Sequence, residues 1–282
     1  MSPDVINLTS LFDGRSSEYQ IQHRVDLFNK WKITPGSRIL EVGCGQGDCT
    51  LVAAYMLGDQ GHVTAIDPAP TDYGTPLTLG EAQDKLRQTP IGDRMTFYQS
   101  NLQDFLDSGA SEQVYDYAML VHSVWYFPSV DVLQQMLAAL RGRTKCLLIA
   151  EYSLDIRGDN AALPHLLAAI SQAEFNSRSN ILDRDDNIQS IISQQTICAL
   201  AKTAGWELQK EEIVESPKGQ EDAEWEVRRV LSEEYSIRSE SHGDASRQNF
   251  ANALIDAVAQ STRVIGPNPK LRTLSTWLGS WV

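Results

Sequence analysis

Basic residues and cysteines are both scarce in this chain of 282 residues. Its 24 lysines and arginines stand against 37 aspartates and glutamates, which leaves a net charge of −13. So acidic a surface repels phosphate groups, and this argues against DNA, RNA and anionic membranes as partners. The few cysteines fit no zinc-ligand spacing, and we interpret them as small buried hydrophobic residues in a reducing compartment. They are Cys44, Cys49, Cys146 and Cys198.

Long apolar runs are also missing. No stretch approaches the ~20 apolar residues that a membrane-spanning helix needs. The N-terminus has no basic region followed by an apolar segment, so no secretory signal is predicted. We therefore expect a cytoplasmic chain without a membrane partner. Its length is sufficient for one large domain, or for a domain with an added cap.

Short β-branched runs alternate with helix-like stretches along the chain, which is typical of βαβ units. Several of these runs, such as "CLLIA" and "YAMLV", are continuously apolar, as strands covered on both faces are. The pattern predicts an α/β fold: a Rossmann-like, seven-stranded, mostly parallel sheet with helices on both faces and a helical cap. The predicted strands are Arg38–Val42, His62–Asp67, Met95–Ser100, Asp116–His122, Lys145–Tyr152, Trp206–Val214 and Leu271–Leu278.

A glycine turn follows the first predicted strand in "ILEVGCGQGDCT", residues 39–50. Gly43, Gly45 and Gly47 form G-x-G-x-G, whereas the dinucleotide fingerprint needs a glycine at the sixth position, where Asp48 stands. An acid at the entrance of the next helix would also repel a pyrophosphate placed there. Both observations argue against NAD or FAD.

Two carboxylates near this turn indicate a different ligand. Glu41 precedes the turn by two residues and favours a ligand that carries positive charge. Asp67 ends the second predicted strand, where a bidentate acceptor suits the diol of a ribose. Because glycines let the backbone approach a ligand closely, the pattern favours a cationic nucleoside without phosphate.

The motifs "EVGCGQG", "AIDPA", "YQSNLQDF" and "VYDYAMLVHSVWYFP", in this order, resemble those of class I S-adenosylmethionine-dependent methyltransferases. The resemblance covers residues 10–152 and continues weakly beyond. It implies S-adenosyl-L-methionine as the cofactor. It places Gly43 and Gly45 near the methionine part, with Glu41 in the same site. Asp67 would lie at the ribose hydroxyls and Pro68 at the adenine.

Further cofactor contacts are implied by the same resemblance. Asn101 stands where the family commonly has aspartate, so its amide oxygen would accept the adenine amino group. Leu102 would supply a backbone contact. Tyr19 and Arg24, in "EYQIQHR", resemble an N-terminal helix that closes over the cofactor carboxylate, and the alternative is that they only pack this helix against the sheet.

The methyl acceptor is expected near "HSVWYFP", residues 122–128, which leaves the fourth predicted strand. His122 either accepts a proton from a hydroxyl acceptor or only lines the cofactor site through its backbone. Trp125 and Tyr126 are candidate walls of the substrate site, and Tyr152 and Trp225 are further candidates. Core contact and lid packing are the alternatives for these aromatic residues. No carboxylate and histidine cluster suggests a metal.

Two motifs that are typical of other classes of methyl acceptor are absent from the sequence. No N/D-P-P-Y/F motif follows the fourth predicted strand, and no glutamate pair of the protein-arginine type is present, which leaves a small-molecule substrate. "LFDGRSSEYQIQHR", "YGTPLTLGEAQDKL" and "HSVWYF" resemble fungal small-molecule methyltransferases, among them the late O-methyltransferases of the roquefortine, meleagrin and oxaline alkaloid pathway. This resemblance implies a hydroxyl or N-hydroxyl acceptor on an indole alkaloid, a secondary metabolite.

Two other functions and two oligomeric states stay open. The chain is alternatively a methyltransferase-like regulator that binds without catalysis, or a dinucleotide oxidoreductase. Both a monomer and a homodimer are compatible with the sequence.

The domain organisation is predicted from two segments that interrupt the strand–helix alternation. Residues 153–192 contain the apolar run "AALPHLLAAI" followed by an Asn- and Asp-rich patch, and residues 217–268 contain two helical apolar stripes. Each segment either covers a sheet edge or forms a lid over a pocket at the carboxyl ends of the strands. We therefore assign 1–152 to cofactor binding and 153–192 to a helical cap. Residues 193–282 then form the rest of the sheet, with a lid at 217–268.

Overall fold

The computed structural model describes residues 3–109, 114–178, 188–240, 245–266 and 270–282. The strands are β1 Arg38–Val42, β2 His62–Asp67, β3 Met95–Gln99, β4 Tyr115–Val121, β5 Thr144–Tyr152, β6 Leu208–Val214 and β7 Thr276–Trp281. The first helices are α1 Pro3–Phe12, α2 Glu18–Trp31, α3 Asp48–Leu57, α4 Leu79–Arg87, α5 Leu102–Asp107 and α6 Val130–Leu140. The others are α7 Leu163–Arg178, α8 Gln194–Thr203, α9 Asp222–Val230, α10 Glu233–Glu240 and α11 Ala245–Ile265.

The strands form one seven-stranded sheet in the order β3-β2-β1-β4-β5-β7-β6. Strands β1 to β5 pair in parallel, and β7 runs antiparallel between β5 and β6. The predicted mostly parallel sheet is therefore confirmed. The strand order reverses at β1, between β2 and β4, and open α/β sheets bind their ligands at such a point.

The seventh strand lies nearer to the C-terminus than the sequence predicts. It comprises Thr276–Trp281, not Leu271–Leu278. The backbone N–H of Leu274 donates to Nδ1 of His165 at 3.0 Å, so this donor is used against α7 and not in the sheet. Leu274, an apolar residue of the predicted strand, is instead buried in a cluster with Trp125, Tyr152 and Ala169 of α7. The other six predicted strands agree with the structure to within two residues at each end.

Two apolar layers cover the two faces of the sheet. Leu40 and Leu120 point to the layer that contains α5, α6 and α8. Their neighbours Ile39 and Met119 point to the opposite layer, which contains α1, α2 and α3. Successive residues of a strand face opposite sides, so continuously apolar strands require helices on both sides. The predicted arrangement of helices is confirmed.

A further group of helices, α7 and α9–α11, packs together through its own apolar cluster. The first apolar stripe predicted from the sequence consists of Ala223, Val227, Val230 and Leu231; the first three are buried, whereas Leu231 is 40% exposed. The second consists of Phe250, Leu254, Ala257, Val258 and Ser261; Val258 is buried, but the prediction is wrong at Phe250, which is 54% exposed. The cluster consists of Ala168, Phe175, Val227, Val230, Tyr235 and Val258. Residues 179–187, 241–244 and 267–269, which include the Asn- and Asp-rich patch and parts of the predicted lid, lie outside the described residues.

A helix that spans a membrane must be both long and apolar. Within the described ranges, no helix combines the length and the apolar character that crossing a membrane requires.

Candidate functional site

The glycine turn lies at the carboxyl end of β1 and begins α3. Gly43 and Gly47 have φ of 80° and 86°, in the left-handed region that favours glycine. A Cβ on Gly43 would lie 2.7 Å from Cβ of Ser123, behind β4, and one on Gly47 would collide with the side chain of Leu86. Gly45, with φ of 53°, has no heavy atom within 4 Å of its own Cβ position. Packing therefore explains the outer glycines, whereas the middle one borders open space.

Asp67, the last residue of β2, is bound to this turn. Its Oδ2 accepts the backbone N–H of Gly45 at 2.8 Å, and its Oδ1 accepts that of Ala69 at 2.9 Å. Each carboxylate oxygen keeps a further lone pair, because an ionised carboxylate offers about four acceptor sites. The structure thus places an oriented acceptor beside the open glycine. Pro68 follows it and is exposed.

Glu41 is buried inside β1, two residues before the turn. Its Oε2 accepts the hydroxyl of Thr50 at 2.6 Å. Burial raises the pKa of Glu41 to about 8, although the bond from Thr50 and the charge of Arg24 act in the opposite direction. A carboxyl group held in this way ionises more readily when a cation is bound near it.

The N-terminal helix α2 contacts the turn through Arg24. The guanidinium lies 3.4 Å from Oδ2 of Asp48, at the start of α3, and donates to the backbone oxygen of Gln20 at 3.0 Å. Burial alone would lower the pKa of Arg24, but the carboxylate of Asp48 is the main cause of a net rise. Tyr19 is 50% exposed, and its ring packs on Gly219, where a Cβ would lie 2.8 Å from the ring.

Asn101 and Leu102 form the junction between β3 and α5. The amide oxygen of Asn101 caps α5 by accepting the backbone N–H of Asp104 at 2.9 Å, and its nitrogen donates to the carboxylate of Asp104 at 2.6 Å. One lone pair of the oxygen predicted to meet the adenine is therefore used by the helix cap. Leu102 is buried.

His122 directly follows β4 and has a φ of 49°. The sequence predicted it as the last residue of this strand, which is wrong by one residue. Its Nε2 lies 3.1 Å from Nε2 of His23 on α2. Its Nδ1 is buried, has no hydrogen bond to any residue that the structure describes, and lies 3.6 Å from Oε1 of Glu151. The ring stacks on Tyr152 with 4.2 Å between centroids. Both ring nitrogens thus face other side chains of the protein.

Tyr152, at the end of β5, is bound to the helical group. Its hydroxyl donates to Oδ1 of Asp222 on α9 at 2.7 Å, and Gln20 of α2 donates to Oδ2 at 2.8 Å. Burial opposes the ionisation of Asp222, but these two hydrogen bonds and the neighbouring His122 lower its pKa. One carboxylate therefore joins the N-terminal helix, the sheet and α9.

The remaining aromatic candidates differ in exposure. Trp125 is buried and its indole N–H donates to the oxygen of Ile192 at 3.3 Å. Tyr126 and Trp225 are 45% and 50% exposed. Partial burial, together with the nearby carboxylates of Glu226 and Asp222, raises the pKa of Tyr126 well above its ordinary value. Tyr126 therefore stays protonated and presents a hydroxyl among carboxylates.

Sequence reasoning missed three polar residues of this region: His23, Glu151 and Asp222. Glu151 had a detectable signal, since it is a lone acid at the carboxyl end of the apolar run "CLLIAEY". The other two lie within helical sequence patterns that predict only a polar face. In the part of the chain that the structure describes, no three metal-binding side chains come together.

Comparison with known sequences identifies relatives of this chain. A family model described as a methyltransferase domain matches residues 39–144. Methyltransferase phomM of Diaporthe leptostromiformis is 28% identical over 263 residues, covering 79% of this chain and 67% of the relative. Methyltransferase phomM′ of the same organism is 26% identical with the same coverage.

A solved structure resembles the whole chain. It is a cyclopropane-fatty-acyl-phospholipid synthase-like protein from Lactobacillus casei, with a TM-score of 0.83 and 29% sequence identity. The similarity covers 100% of both chains. It therefore includes the helical group α7 and α9–α11 as well as the sheet.

Proposed function

We propose that this chain is a class I S-adenosylmethionine-dependent methyltransferase with S-adenosyl-L-methionine as its cofactor. The proposed reaction is methylation of a hydroxyl group of a small-molecule secondary metabolite. The single observation that carries the proposal is the Asp67 carboxylate, which two backbone N–H groups hold beside the open space at Gly45. This arrangement offers a bidentate acceptor to a ribose and room for a ligand next to it. Residues 1–152 would form the cofactor-binding part.

The residues proposed for the cofactor fall into three groups. Gly43, Gly45 and Glu41 surround the end of β1, where a ligand with ammonium and sulfonium charges is favoured by a buried carboxyl group. Asp67 is proposed for the ribose. The adenine region is formed by Pro68, Asn101 and Leu102, and Tyr19 closes the site from α2.

Bound S-adenosyl-L-methionine would supply a methyl group on a sulfonium, and the residues proposed above would hold this methyl group for in-line attack by a nucleophile. The protein contributes alignment, exclusion of water and acceptance of a proton. His122 is the proposed proton acceptor, because it directly follows β4 and its neighbour Ser123 donates to the backbone oxygen of Val42, immediately before the glycine turn. The oxygen of the acceptor would form a bond to the methyl carbon as the bond between this carbon and sulfur breaks, and S-adenosylhomocysteine would leave as a neutral thioether. The hydroxyl proton would pass to His122, so charge and atoms balance.

The acceptor site is proposed between the loop after β4 and the helices α7 and α9. Tyr126 in this loop and Trp225 on α9 are exposed aromatic side chains. Trp125 and Tyr152 are buried and contact each other, with 5.7 Å between their ring centroids. Aromatic walls beside carboxylates suit a flat, nitrogen-containing acceptor such as an indole alkaloid. Helices α7 and α9–α11 would act as the cap and lid.

The proposal is tested by measuring release of S-adenosylhomocysteine with a panel of hydroxylated and N-hydroxylated indole alkaloids. Product mass spectra and NMR then identify the methylated atom. Transfer to oxygen supports the proposal, whereas transfer only to nitrogen or carbon overturns O-methylation. Binding of the cofactor without turnover of any acceptor would favour the non-catalytic alternative. Submicromolar binding of NAD(P) by calorimetry would contradict both.

A further inference from the structure

Thr50 connects the two sides of the glycine turn. It is the third residue of α3 and is fully buried. Threonines inside helices often turn the hydroxyl to the backbone oxygen four residues earlier. The hydroxyl of Thr50 donates instead to Oε2 of Glu41 in β1 at 2.6 Å. This bond joins the helix that follows the turn to the strand that precedes it.

Charges of both signs face Glu41 from three neighbouring elements. Arg24 of α2 favours the ionised carboxylate, whereas Asp67 at the end of β2 and Asp48 at the start of α3 oppose it. Burial is the largest effect and raises the pKa of Glu41 to about 8. Near neutral pH the group therefore lies close to the balance between its two forms, and one hydrogen bond changes that balance.

The other neighbours of Glu41 exchange no proton near neutral pH. Ala65 of β2 and Met119 of β4 flank it in the sheet. Cys44 in the turn and Cys49 on α3 are buried, and burial followed by the charge of Glu41 raises the pKa of both thiols well above the ordinary value. Both thiols stay protonated, so they do not compete with Glu41 for the proton that a cationic ligand displaces.

The hydroxyl of Thr50 favours the ionised form of Glu41. A hydrogen bond to a charged acceptor is about twice as strong as one between neutral groups. The protonated carboxyl group can keep the bond, but the ionised one gains more from it, and this difference lowers the pKa of Glu41. Thr50 is fully buried and Glu41 is only 2% exposed, so water has little access to replace a lost hydroxyl.

We propose that Thr50 is a positioning residue for the cofactor, because its hydroxyl holds Oε2 of Glu41 and stabilises the ionised carboxylate that a cationic ligand requires. Binding of the cation breaks the O–H bond of the protonated Glu41 and releases the proton to solvent. Thr50 makes this release easier and thereby lowers the pH at which the cofactor binds fully. Only the link to the cofactor rests on the proposed function, since the effect of Thr50 on Glu41 belongs to the unliganded protein.

The effect on Glu41 is measured without ligand by ¹³C NMR of the side-chain carboxyl groups in a pH titration of the full-length protein. Glu41→Gln assigns the signal. Thr50→Val keeps the volume and removes the hydroxyl, whereas Thr50→Ser keeps the hydroxyl and removes a methyl group. We expect the pKa of Glu41 to rise further in Thr50→Val and to stay at about 8 in Thr50→Ser. An unchanged pKa of Glu41 in Thr50→Val would overturn the inference.

Calorimetric titration with S-adenosyl-L-methionine tests the link to the cofactor. At pH 7 we expect Thr50→Val to lower the affinity about tenfold, the loss of one hydrogen bond to a charged group. The difference should narrow toward pH 9, because the higher pH ionises Glu41 in both proteins. Thr50→Ser should bind as the wild type does. A loss that is equal at every pH, or one that is larger in Thr50→Ser than in Thr50→Val, would show that Thr50 only packs the helix.

Thr64→Val is the matched control. Thr64 is a buried threonine of β2, and its sheet partner Leu40 points to the apolar layer on the face opposite to α3. This variant should change neither the pKa of Glu41 nor cofactor affinity, and an effect as large as that of Thr50→Val would contradict a specific role of Thr50. If the wild type binds no S-adenosyl-L-methionine, the proposed function fails together with the cofactor link. The NMR titration still shows in that case whether Thr50 stabilises the ionised carboxylate.

Discussion

Oδ2 of Asp67 lies 2.8 Å from the backbone nitrogen of Gly45, so the acid that ends β2 and the turn that follows β1 orient each other. The carboxylate gains a fixed direction from this bond. The same bond holds the glycine turn next to the open space at Gly45. The proposed cofactor site would thus be oriented before any ligand arrives, which reduces the ordering cost of binding.

Replacing Asp67 tests the ribose contact. We expect Asp67→Ala to weaken binding of S-adenosyl-L-methionine by more than ~1.5 kcal/mol, about tenfold, because a charged acceptor is lost. Isothermal titration calorimetry measures the affinity. Asp59→Ala is the control, since Asp59 is an exposed acid before β2. An unchanged affinity in Asp67→Ala would place the ribose elsewhere.

The raised pKa of Glu41 makes stability depend on pH. Between the ordinary value of 4.5 and about 8, the unfolded chain binds fewer protons at this position than the folded chain. The free energy of unfolding therefore falls as the pH rises through this window and levels off above it. Glu41→Gln should remove this slope, so that its free energy of unfolding rises relative to that of the wild type from pH 5 to pH 8. Urea denaturation at several pH values measures both free energies, and the same pH dependence in the two proteins would contradict the prediction.

The same group links cofactor affinity to pH. A bound cation favours the ionised carboxylate, so binding of S-adenosyl-L-methionine should release a proton from Glu41 at pH values below about 8. Affinity is then expected to rise from pH 6 to pH 8 in the wild type and to stay flat in Glu41→Gln. Calorimetry in buffers of different ionisation enthalpy counts the protons released. If no proton is released on binding at pH 7, Glu41 does not interact with the positive charge of the cofactor.

Removal of the His122 imidazole tests the proposed proton acceptor. We expect His122→Ala to lower turnover about 100-fold, since general base catalysis contributes this order of magnitude. Cofactor affinity should remain unchanged, because the contacts of the glycine turn are not altered. Steady-state assays of S-adenosylhomocysteine release check the rate, with His62→Ala as the control. A rate near that of the wild type would make His122 a wall of the site only.

Trp225 tests the lid over the acceptor. Its side chain is half-exposed on α9, away from the buried stripe of that helix. Trp225→Ala should raise the KM of the acceptor severalfold and leave cofactor affinity unchanged. Val264→Ala, at an exposed apolar residue of α11, is the matched control. Equal losses of acceptor and cofactor binding would indicate general destabilisation instead.

The contact between Tyr152 and Asp222 is expected to stabilise the fold as well as the site. Tyr152→Phe removes the hydroxyl that donates to the partly buried Asp222 at 2.7 Å. We expect the free energy of unfolding to fall by about 1–3 kcal/mol, because a partly buried carboxylate loses a donor. Urea denaturation measures the change, and Tyr98→Phe, at an exposed tyrosine of β3, serves as the control. A difference below ~0.5 kcal/mol between the two variants would mean that water replaces the hydroxyl.

The amino-acid sequence by itself determined the sheet, the glycine turn and the acid at the end of β2. These features depend on local patterns: apolar runs of strand length, glycines at positive φ, and a polar residue where an apolar strand ends. Local patterns do not depend on distant partners, so they can be recognised in a single chain. The prediction of the seventh strand placed it too early for the same reason: Leu274 is apolar in either environment, and its bond to the distant His165 is visible only in the structure.

The tertiary structure alone decided which polar side chains meet. His23 and His122 are separated by 99 residues, and Gln20 and Asp222 by 202. Such contacts arise only when the parallel sheet brings its strand ends to one edge and the cap and the N-terminal helix close over that edge. A histidine or an aspartate in a helical pattern has the same local appearance whether it faces water or a buried partner. The chemistry of this site is therefore set by burial and proximity, which the folded chain creates and no short segment contains.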